Sequence, residues 1–475
     1  MPEDRPYGIA RAALRTGCAW LAAAALALAA GCANAPGGAD GARPKNIIIL
    51  FADGAAPAQW ELGKYSSRVL RNQPFAVTDV VFRQGALGLL STHSNDAFVT
   101  DSAAAASAMS TGFKVDNFTV SVTPDGKSPR TAMETAKAAG KKIGLVTTAE
   151  IYDASPAAFS VHAKNRAESQ SSVDQLFRLE PDVMLGGGRD YFLPRTAPGG
   201  KRSDGRDMLA EFAQKGYRIA RDPQQLKAAA GPRLLGLFAD ADMSFEIDRD
   251  PAKEPSTAEM TQAALAVLSR ASPNGFVLFV ENENTDSAGH FTDAAGVMRA
   301  LWAFDDAVKV ALEFQQRSPA DTLIIVTGDH ETGGLSATYA LREPGGKRFY
   351  TGPSHLQMLN RIDISFGAAA RALGKKPSPE ALDRLVAQHF PGFTLDADLR
   401  ELILSQRPLD RHYSYPTQNA LGQMVARQTG LYWGTSGHTP EPVAVGALGP
   451  GAELFRGYQD NTDFARHLQR LIEGK

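Results

Sequence analysis

Asp286 and His290 stand four residues apart in the segment Glu281-Asn-Glu-Asn-Thr-Asp286-Ser-Ala-Gly-His290, which follows directly on the apolar run Phe276–Val280. If the segment begins a helix, that offset turns both side chains to one side, where they can converge on one ion. Asp329-His330 follows a second apolar run, and His438 follows Gly434-Thr-Ser-Gly437. A single histidine after a strand is more often a hydrogen-bonded core residue than a ligand. Three of the nine histidines in such positions, each beside a carboxylate or a glycine turn, shift the balance toward a metal centre. Both cysteines lie at or before position 32, so a transition metal in the rest of the chain would be held by imidazole and carboxylate. That donor set suits Zn2+ or a similar divalent ion.

A second pattern is Val99-Thr100-Asp101-Ser102 running into Ala103–Ala106. It reads as the start of an alanine-rich helix with Ser102 near its N-terminus, where free N–H groups and the helix dipole favour an anion. Taken alone, the pattern is better explained by a plain capping role for Asp101 or Ser102.

These residues need a scaffold. Asn46–Ala52 is short, rich in β-branched residues and bounded by Pro44 and Asp53-Gly54, which predicts a buried parallel strand. Similar runs recur at Lys142–Thr147, Leu234–Ala239, Phe276–Val280, Thr322–Thr327 and Pro442–Ala447. Helical patterns lie between them at Ser102–Thr111, Thr131–Ala139, Glu168–Leu179, Thr257–Ala271 and Asp293–Gln315. Strands alternating with helices predict an α/β fold, a mostly parallel sheet covered on both faces. In such sheets ligands bind beyond the carboxyl ends of the strands, which is where Asp53, Glu281 and Asp329-His330 fall. Residues 341–434 break the alternation with short helical stretches such as Pro379–His389 and Gln418–Thr429, and read as an inserted subdomain between two site-forming segments.

The chain has 475 residues, 43% hydrophobic and 21% charged, with a formal net charge of −2 and no long run of either sign, which gives no sign of nucleic-acid-specific binding. Its first residues differ from the rest. Arg5, Arg11 and Arg15 precede an apolar stretch from Cys18 to Ala30, too short for a spanning helix of roughly twenty residues. Residues 1–32 are therefore expected to be a secretory signal, and Leu28-Ala-Ala-Gly-Cys32 resembles a bacterial lipobox, with leucine one position earlier than usual. Lipidation at Cys32, a flexible tether over 33–44, a folded domain over 45–475, and export to a bacterial periplasm or cell surface, with a lipid anchor in the (outer) membrane, are the expectations.

The segments Asp53-Gly54, Thr100-Asp101-Ser102-Ala-Ala, Asp153-Ala-Ser155-Pro-Ala, His162 to Arg166, Glu281…Asp286…His290, Asp329-His330-Glu-Thr-Gly-Gly and Gly437-His438-Thr439 together resemble the alkaline phosphatases, in that family's order, from about Asn46 to Gly457. The resemblance implies a three-layer α/β/α sandwich around a large, mostly parallel sheet with an inserted crown-like subdomain. It implies hydrolysis of small phosphate monoesters through a phosphoserine on Ser102, with two Zn2+ and one Mg2+ per subunit. Asp286, His290 and His438 would hold the first zinc. Asp53, Asp329 and His330, with Ser102, would hold the second. Asp53 would bridge to a magnesium site completed by Glu281, Ser155 and, directly or through water, Asp153. Arg166 would clamp two phosphate oxygens, oriented by Asp101; without the flanking motif it would read as a surface arginine.

One departure is Ser287, where relatives in the family often carry a larger polar or charged side chain. A homodimer is an arrangement that the unassigned insert leaves open. Two other readings compete: a phosphodiesterase of the same superfamily, which usually carries threonine as nucleophile and lacks the third-metal residues, and a non-catalytic phosphate-binding lipoprotein. A sulfatase would need a C/S-x-P-x-R context, and alanines follow Ser102 instead.

Overall fold

The run Asn46–Ala52 is buried along almost its whole length and lies at the middle of a ten-stranded sheet. In the computed structural model, residues 43–270, 272–342 and 345–474 are described. In chain order the strands are β1 (Asn46–Ala52), β2 (Ala86–Ser91), β3 (Lys142–Glu150), β4 (Val183–Gly187), β5 (Arg218–Ala220), β6 (Leu234–Leu237), β7 (Phe276–Asn282), β8 (Thr322–Thr327), β9 (Val443–Leu448) and β10 (Gly457–Asp460). Their spatial order is β10-β2-β9-β8-β1-β7-β3-β4-β6-β5. Only β9 runs against its two neighbours, β8 and β2; every other pairing in the sheet is parallel.

Side chains of a strand point alternately to opposite faces, and β1 divides accordingly. Ile48, Leu50 and Ala52 enter one apolar layer with Met260, Leu301 and Phe304 from the helices Thr257–Leu268 and Ala294–Arg317. Ile47, Ile49 and Phe51 enter the other with Ala103, Met109, Phe464 and Leu468 from the helices Ser102–Thr111 and Asn461–Glu473. The result is the expected three-layer arrangement. Phe279 of β7 sits against Phe159 and Phe51 with ring centroids 4.5 and 5.2 Å apart, a fully buried aromatic cluster beneath the ends of the strands.

Between β8 and β9 come short helices, Pro353–Leu359, Phe366–Leu373, Pro379–His389, Ala397–Ser405 and Pro416–Thr429. Two small antiparallel pairs accompany them, Ser336–Ala337 with Leu431–Tyr432 and Tyr339–Leu341 with Arg348–Tyr350. Leu359, Phe366, Leu382, Leu399 and Leu421 join the same apolar layer as β1, so this stretch shares the core of the sheet. No described helix is long and apolar enough to cross a membrane. The expected signal sequence and Cys32 lie outside the described residues, as does nearly all of the expected tether.

Register puts the chemistry at one level. Phe51 lies opposite Glu281 on one side and Thr327 on the other, and Ala52 lies opposite Asn282. Asp53, Glu281 and Asp329 therefore leave three adjacent strands at nearly the same height. Because Phe279 supports that platform from below, Phe279→Ala is expected to cost about 3–5 kcal/mol, the usual range for emptying a buried aromatic site. Urea unfolding measures it, with Phe279→Leu falling between wild type and alanine. A loss under about 1 kcal/mol would show that the cluster does not support the site as described.

Candidate metal centre and nucleophile

Asp53, Asp329 and His330 are all buried beyond the ends of β1 and β8, and their polar atoms converge. His330 Nε2 is 3.4 Å from Asp53 Oδ1, 3.3 Å from Asp329 Oδ2 and 3.1 Å from Ser102 Oγ. The short helix Asn284–His290 after β7 brings the second group together. His290 Nε2 is 3.1 Å from Asp286 Oδ2 and 3.2 Å from His438 Nε2, and His438 Nε2 is 3.5 Å from Asp286 Oδ1. Thus the offset of four residues between Asp286 and His290 does turn both to one point, and His438 reaches it from the far end of the sequence.

The outer nitrogens of the rings decide what the inner ones can do. His290 Nδ1 lies 2.6 Å from the Ser436 carbonyl and His438 Nδ1 lies 2.8 Å from the Thr100 carbonyl. A carbonyl only accepts, so both Nδ1 atoms carry hydrogen, and a neutral ring then presents a bare lone pair at Nε2. Two such lone pairs 3.2 Å apart, with Asp286 beside them, call for positive charge between them. Asp53 Oδ1 and Asp329 Oδ2 point in the same sense, since both are buried without a hydrogen-bond partner.

The distances test what would fit there. Ligands at about 2.0–2.1 Å around a tetrahedral ion lie about 3.3–3.4 Å from one another. The spacings within both groups, 3.1 to 3.5 Å, are of that size. Imidazole and carboxylate are also the donors such an ion takes. The ligand atoms of Asp286, His330 and His438 lie within 4.8 Å of one another, as do those of Asp53, Asp329 and His330. His330 therefore stands between the two groups, its ring stacked on His438 with centroids 3.6 Å apart, whereas the sequence assigned it to one group only.

Electrostatics agree with the geometry. Burial, then Asp329, Asp286 and Glu281, hold the Asp53 carboxyl well above the usual range. Burial and Asp286 push Asp329 up to about 8. Burial, with Asp153 and Asp329 adding repulsion, pushes Glu281 up to about 8. Burial works against charge on His290 too, but the adjacent Asp286 more than offsets it and lifts the ring to about 9. Crowded carboxylates resist ionisation until a cation joins them.

Ser102 is the first residue of the helix Ser102–Thr111 and is buried. Asp101 caps that helix, accepting from Ala104 N at 2.9 Å. Its second oxygen accepts from Arg166 Nη1 at 3.2 Å, so Asp101 is both cap and orienting group. Asp153 also accepts from Arg166, through Nη2 at 3.0 and 3.3 Å, a pairing that the sequence did not suggest. The planar guanidinium of Arg166 is a fork suited to two oxygens of an oxyanion. His162 carries no such role: its ring meets Glu134 Oε2 at 3.1 Å and the Ser121 carbonyl at 2.8 Å.

Around Glu281 the picture is mixed. Its Oε2 accepts from Thr147 Oγ1, and Ser155 Oγ is buried without a hydrogen-bond partner. Ser287 donates its hydroxyl hydrogen to Glu283. Gly54 (φ +74°) donates its N–H to Asp329 Oδ1 at 3.3 Å; a Cβ there would stand 2.9 Å from both Asp286 Oδ1 and Thr332 Oγ1. Glu331 and Thr332, unassigned by the sequence, are hydrogen-bonding hubs behind the ligands; their place inside Asp329-His330-Glu-Thr-Gly-Gly was the one signal available.

Comparison with known proteins agrees with this arrangement. The family model for alkaline phosphatase matches residues 44–473. Alkaline phosphatase 3 of Bacillus subtilis (strain 168) is 32% identical over 439 residues, covering 90% of this chain and 89% of the relative. Among solved structures, Thermus thermophilus alkaline phosphatase superposes with a TM-score of 0.81 at 30% identity, over 91% of this chain and 92% of the other. A mutant of TAB5 alkaline phosphatase with Mg bound in the M3 site superposes with a TM-score of 0.64 at 25% identity, over 91% and 98%. With residues 44–473 matched by this family model and a relative 32% identical over most of both chains, this chain belongs to the alkaline phosphatase family and is a hydrolase of phosphoric monoesters.

Proposed function

We propose that the enzyme works through a phosphoserine formed on Ser102, at a centre of two zinc ions and one magnesium ion. The observation that carries this reading is the convergence of carboxylate oxygens of Asp53 and Asp329 on His330 Nε2, itself 3.1 Å from Ser102 Oγ, and of the His290 and His438 rings on Asp286. Asp286, His290 and His438 would hold one zinc; Asp53, Asp329 and His330 would hold the other. When bound, the ions supply Lewis acidity that stabilises the serine alkoxide and the departing oxygen of an in-line displacement.

The chain does the rest. Arg166, fixed by Asp101 and Asp153, takes two non-bridging oxygens of the substrate and sets phosphorus above Ser102. Ser102 gives up its proton to water, its oxygen bonds to phosphorus, the bond from phosphorus to the ester oxygen breaks, and the departing oxygen takes a proton from water and leaves as the alcohol. Water then cleaves the phosphoserine and inorganic phosphate leaves. The transition state of phosphoryl transfer is loose, so this positioning and charge neutralisation dominate the rate. Asp53, Ser155 and Glu281, with Asp153 nearby, would hold magnesium; the mutant of TAB5 alkaline phosphatase with Mg bound in the M3 site supports this reading.

For the nucleophile, Ser102→Ala is expected to lose several powers of ten in kcat, each worth about 1.4 kcal/mol, while its zinc content stays at the wild-type level. Full activity in this variant, or no phosphoserine trapped in the wild type at low pH, would overturn the covalent route.

The third site bears on monoester against diester. A monoester dianion has three non-bridging oxygens and a diester two, so the third oxygen is where the Glu281 site acts. Glu281→Tyr is expected to lower kcat/KM for an aryl monoester by at least ~10-fold more than for the matching diester, a difference of about 1.4 kcal/mol. Equal losses would remove the third site from the reading and would favour the diesterase alternative.

We also propose export and lipid anchoring through Cys32, supported by the charged and apolar pattern of residues 1–32. The mature protein is expected to partition into detergent and to incorporate a labelled fatty acid, and Cys32→Ala is expected to abolish both. Unchanged membrane association of that variant would refute the anchor.

A further inference from the structure

Thr332 is buried between the two groups of ligands. It donates its hydroxyl hydrogen to Asp286 Oδ1 in a short bond, and the same oxygen lies 3.3 Å from His330 Nδ1. A hydroxyl has one hydrogen. With that hydrogen on Asp286, the contact with His330 is one in which Thr332 accepts, so Nδ1 of His330 carries the ring hydrogen. Nε2 is then left with its lone pair facing Asp53 Oδ1, Asp329 Oδ2 and Ser102 Oγ. His290 and His438 obtain the same tautomer from fixed backbone carbonyls, but His330 obtains it from a side chain that also holds a ligand of the other group.

The position of this hydroxyl is fixed from several sides. Thr332 N donates to the Gly54 carbonyl at 3.2 Å, and the Thr332 carbonyl accepts from Gln59 Nε2 at 3.3 Å. Thr332 pairs with His438 in a two-residue antiparallel ladder, His438–Thr439 with Glu331–Thr332. The absence of a Cβ at Gly54 leaves the space that the hydroxyl occupies.

We propose that Thr332 is a positioning residue that couples the two metal-binding groups, so that filling one with a divalent ion favours filling the other. An ion that immobilises Asp286 immobilises the acceptor of the Thr332 hydrogen, and with it the lone pair that orients His330. The ordering of His330 for the second ion is then already in place, and by linkage the effect runs equally in both directions. This rests on the metal-centre reading of the preceding section.

The test is zinc binding to the metal-stripped full chain, followed by calorimetry against a competing chelator, with circular dichroism of the stripped protein as the check on folding. Thr332→Val keeps the shape and removes the hydroxyl; Thr332→Ala removes both; Thr332→Ser restores the hydroxyl. Outer partners of metal ligands typically contribute 10- to 100-fold in affinity. The valine and alanine variants are expected to lose at least ~10-fold at both groups and to bind the two ions independently, while the serine variant binds as wild type does. Wild-type binding by Thr332→Val, weakening confined to one group, or a serine variant as impaired as valine would overturn the proposal and leave the metal centre standing. A wild-type chain that takes up no zinc would overturn both.

Discussion

Asp53, Glu281, Asp286 and Asp329 meet at the ends of three neighbouring strands, with three imidazoles among them, in a place where little water can screen their charge. Burial away from water, and after it the repulsion of like charges in a low-dielectric interior, raises Asp53, Glu281 and Asp329. A positive partner resolves it. The raised His290 is the same demand met by a proton; a divalent ion meets it for all the ligands of a group at once. Such a constellation destabilises the apo chain, so the fold around it has to be rigid enough to keep the carboxylates together.

That rigidity comes from two sources. One is the parallel register of β1, β7 and β8, backed by the Phe51, Phe159 and Phe279 cluster, which fixes the height at which each carboxylate emerges. The other is Glu331, a buried carboxylate that, unlike the ligands, has its hydrogen bonds satisfied. Its Oε1 accepts from Gln59 at 2.6 Å and Leu335 N at 3.1 Å, and its Oε2 accepts from Gly334 N at 2.9 Å and Thr439 at 2.7 Å. It ties the loop after His330 to the helix Pro57–Ser66 and to the strand that carries His438. Thr332 adds the link between the groups themselves. The two faces of the sheet contribute differently: one supplies the helix that opens on Ser102, the other supports the helix that carries Asp286 and His290.

Arg166 depends on the same economy of groups. Its guanidinium is largely buried between Asp101 and Asp153, and burial alone would disfavour its charge; the two carboxylates hold it firmly in the charged form. Asp101 also caps the helix of Ser102, so Ser102 and Arg166 are set by one side chain. Phe118 N donates to that same Asp101 at 3.1 Å while its carbonyl accepts from Arg166 N at 2.7 Å, closing the arrangement through the backbone.

Local pattern was sufficient for the elements whose residues speak for themselves. β1 and β8, the helix Ser102–Thr111 and the helix Pro379–His389 have the bounds that their apolar runs and caps predict, because strand burial and capping are short-range effects. β2, β4, β5 and β10 escaped notice. Leu87 and Leu89 of β2 are exposed, β5 has three residues, and β10 is the polar edge Gly457–Asp460; such strands are stabilised by the neighbour they pair with more than by their own residues. The same division holds in the site. Residue types and the i, i+4 spacing pointed to Asp286, His290, Asp329-His330 and His438 as candidates, since metal chemistry restricts which side chains can serve, whereas Ser102 stood out through the family resemblance. Only the folded chain decided that His330 lies between both groups, that Asp153 pairs with Arg166, and that Thr332 hydrogen-bonds to ligands of each. Those are contacts between residues far apart in sequence, often through a single oxygen atom, and a hydrogen bond leaves no trace in the order of amino acids until the backbone brings donor and acceptor within 3 Å or so of each other.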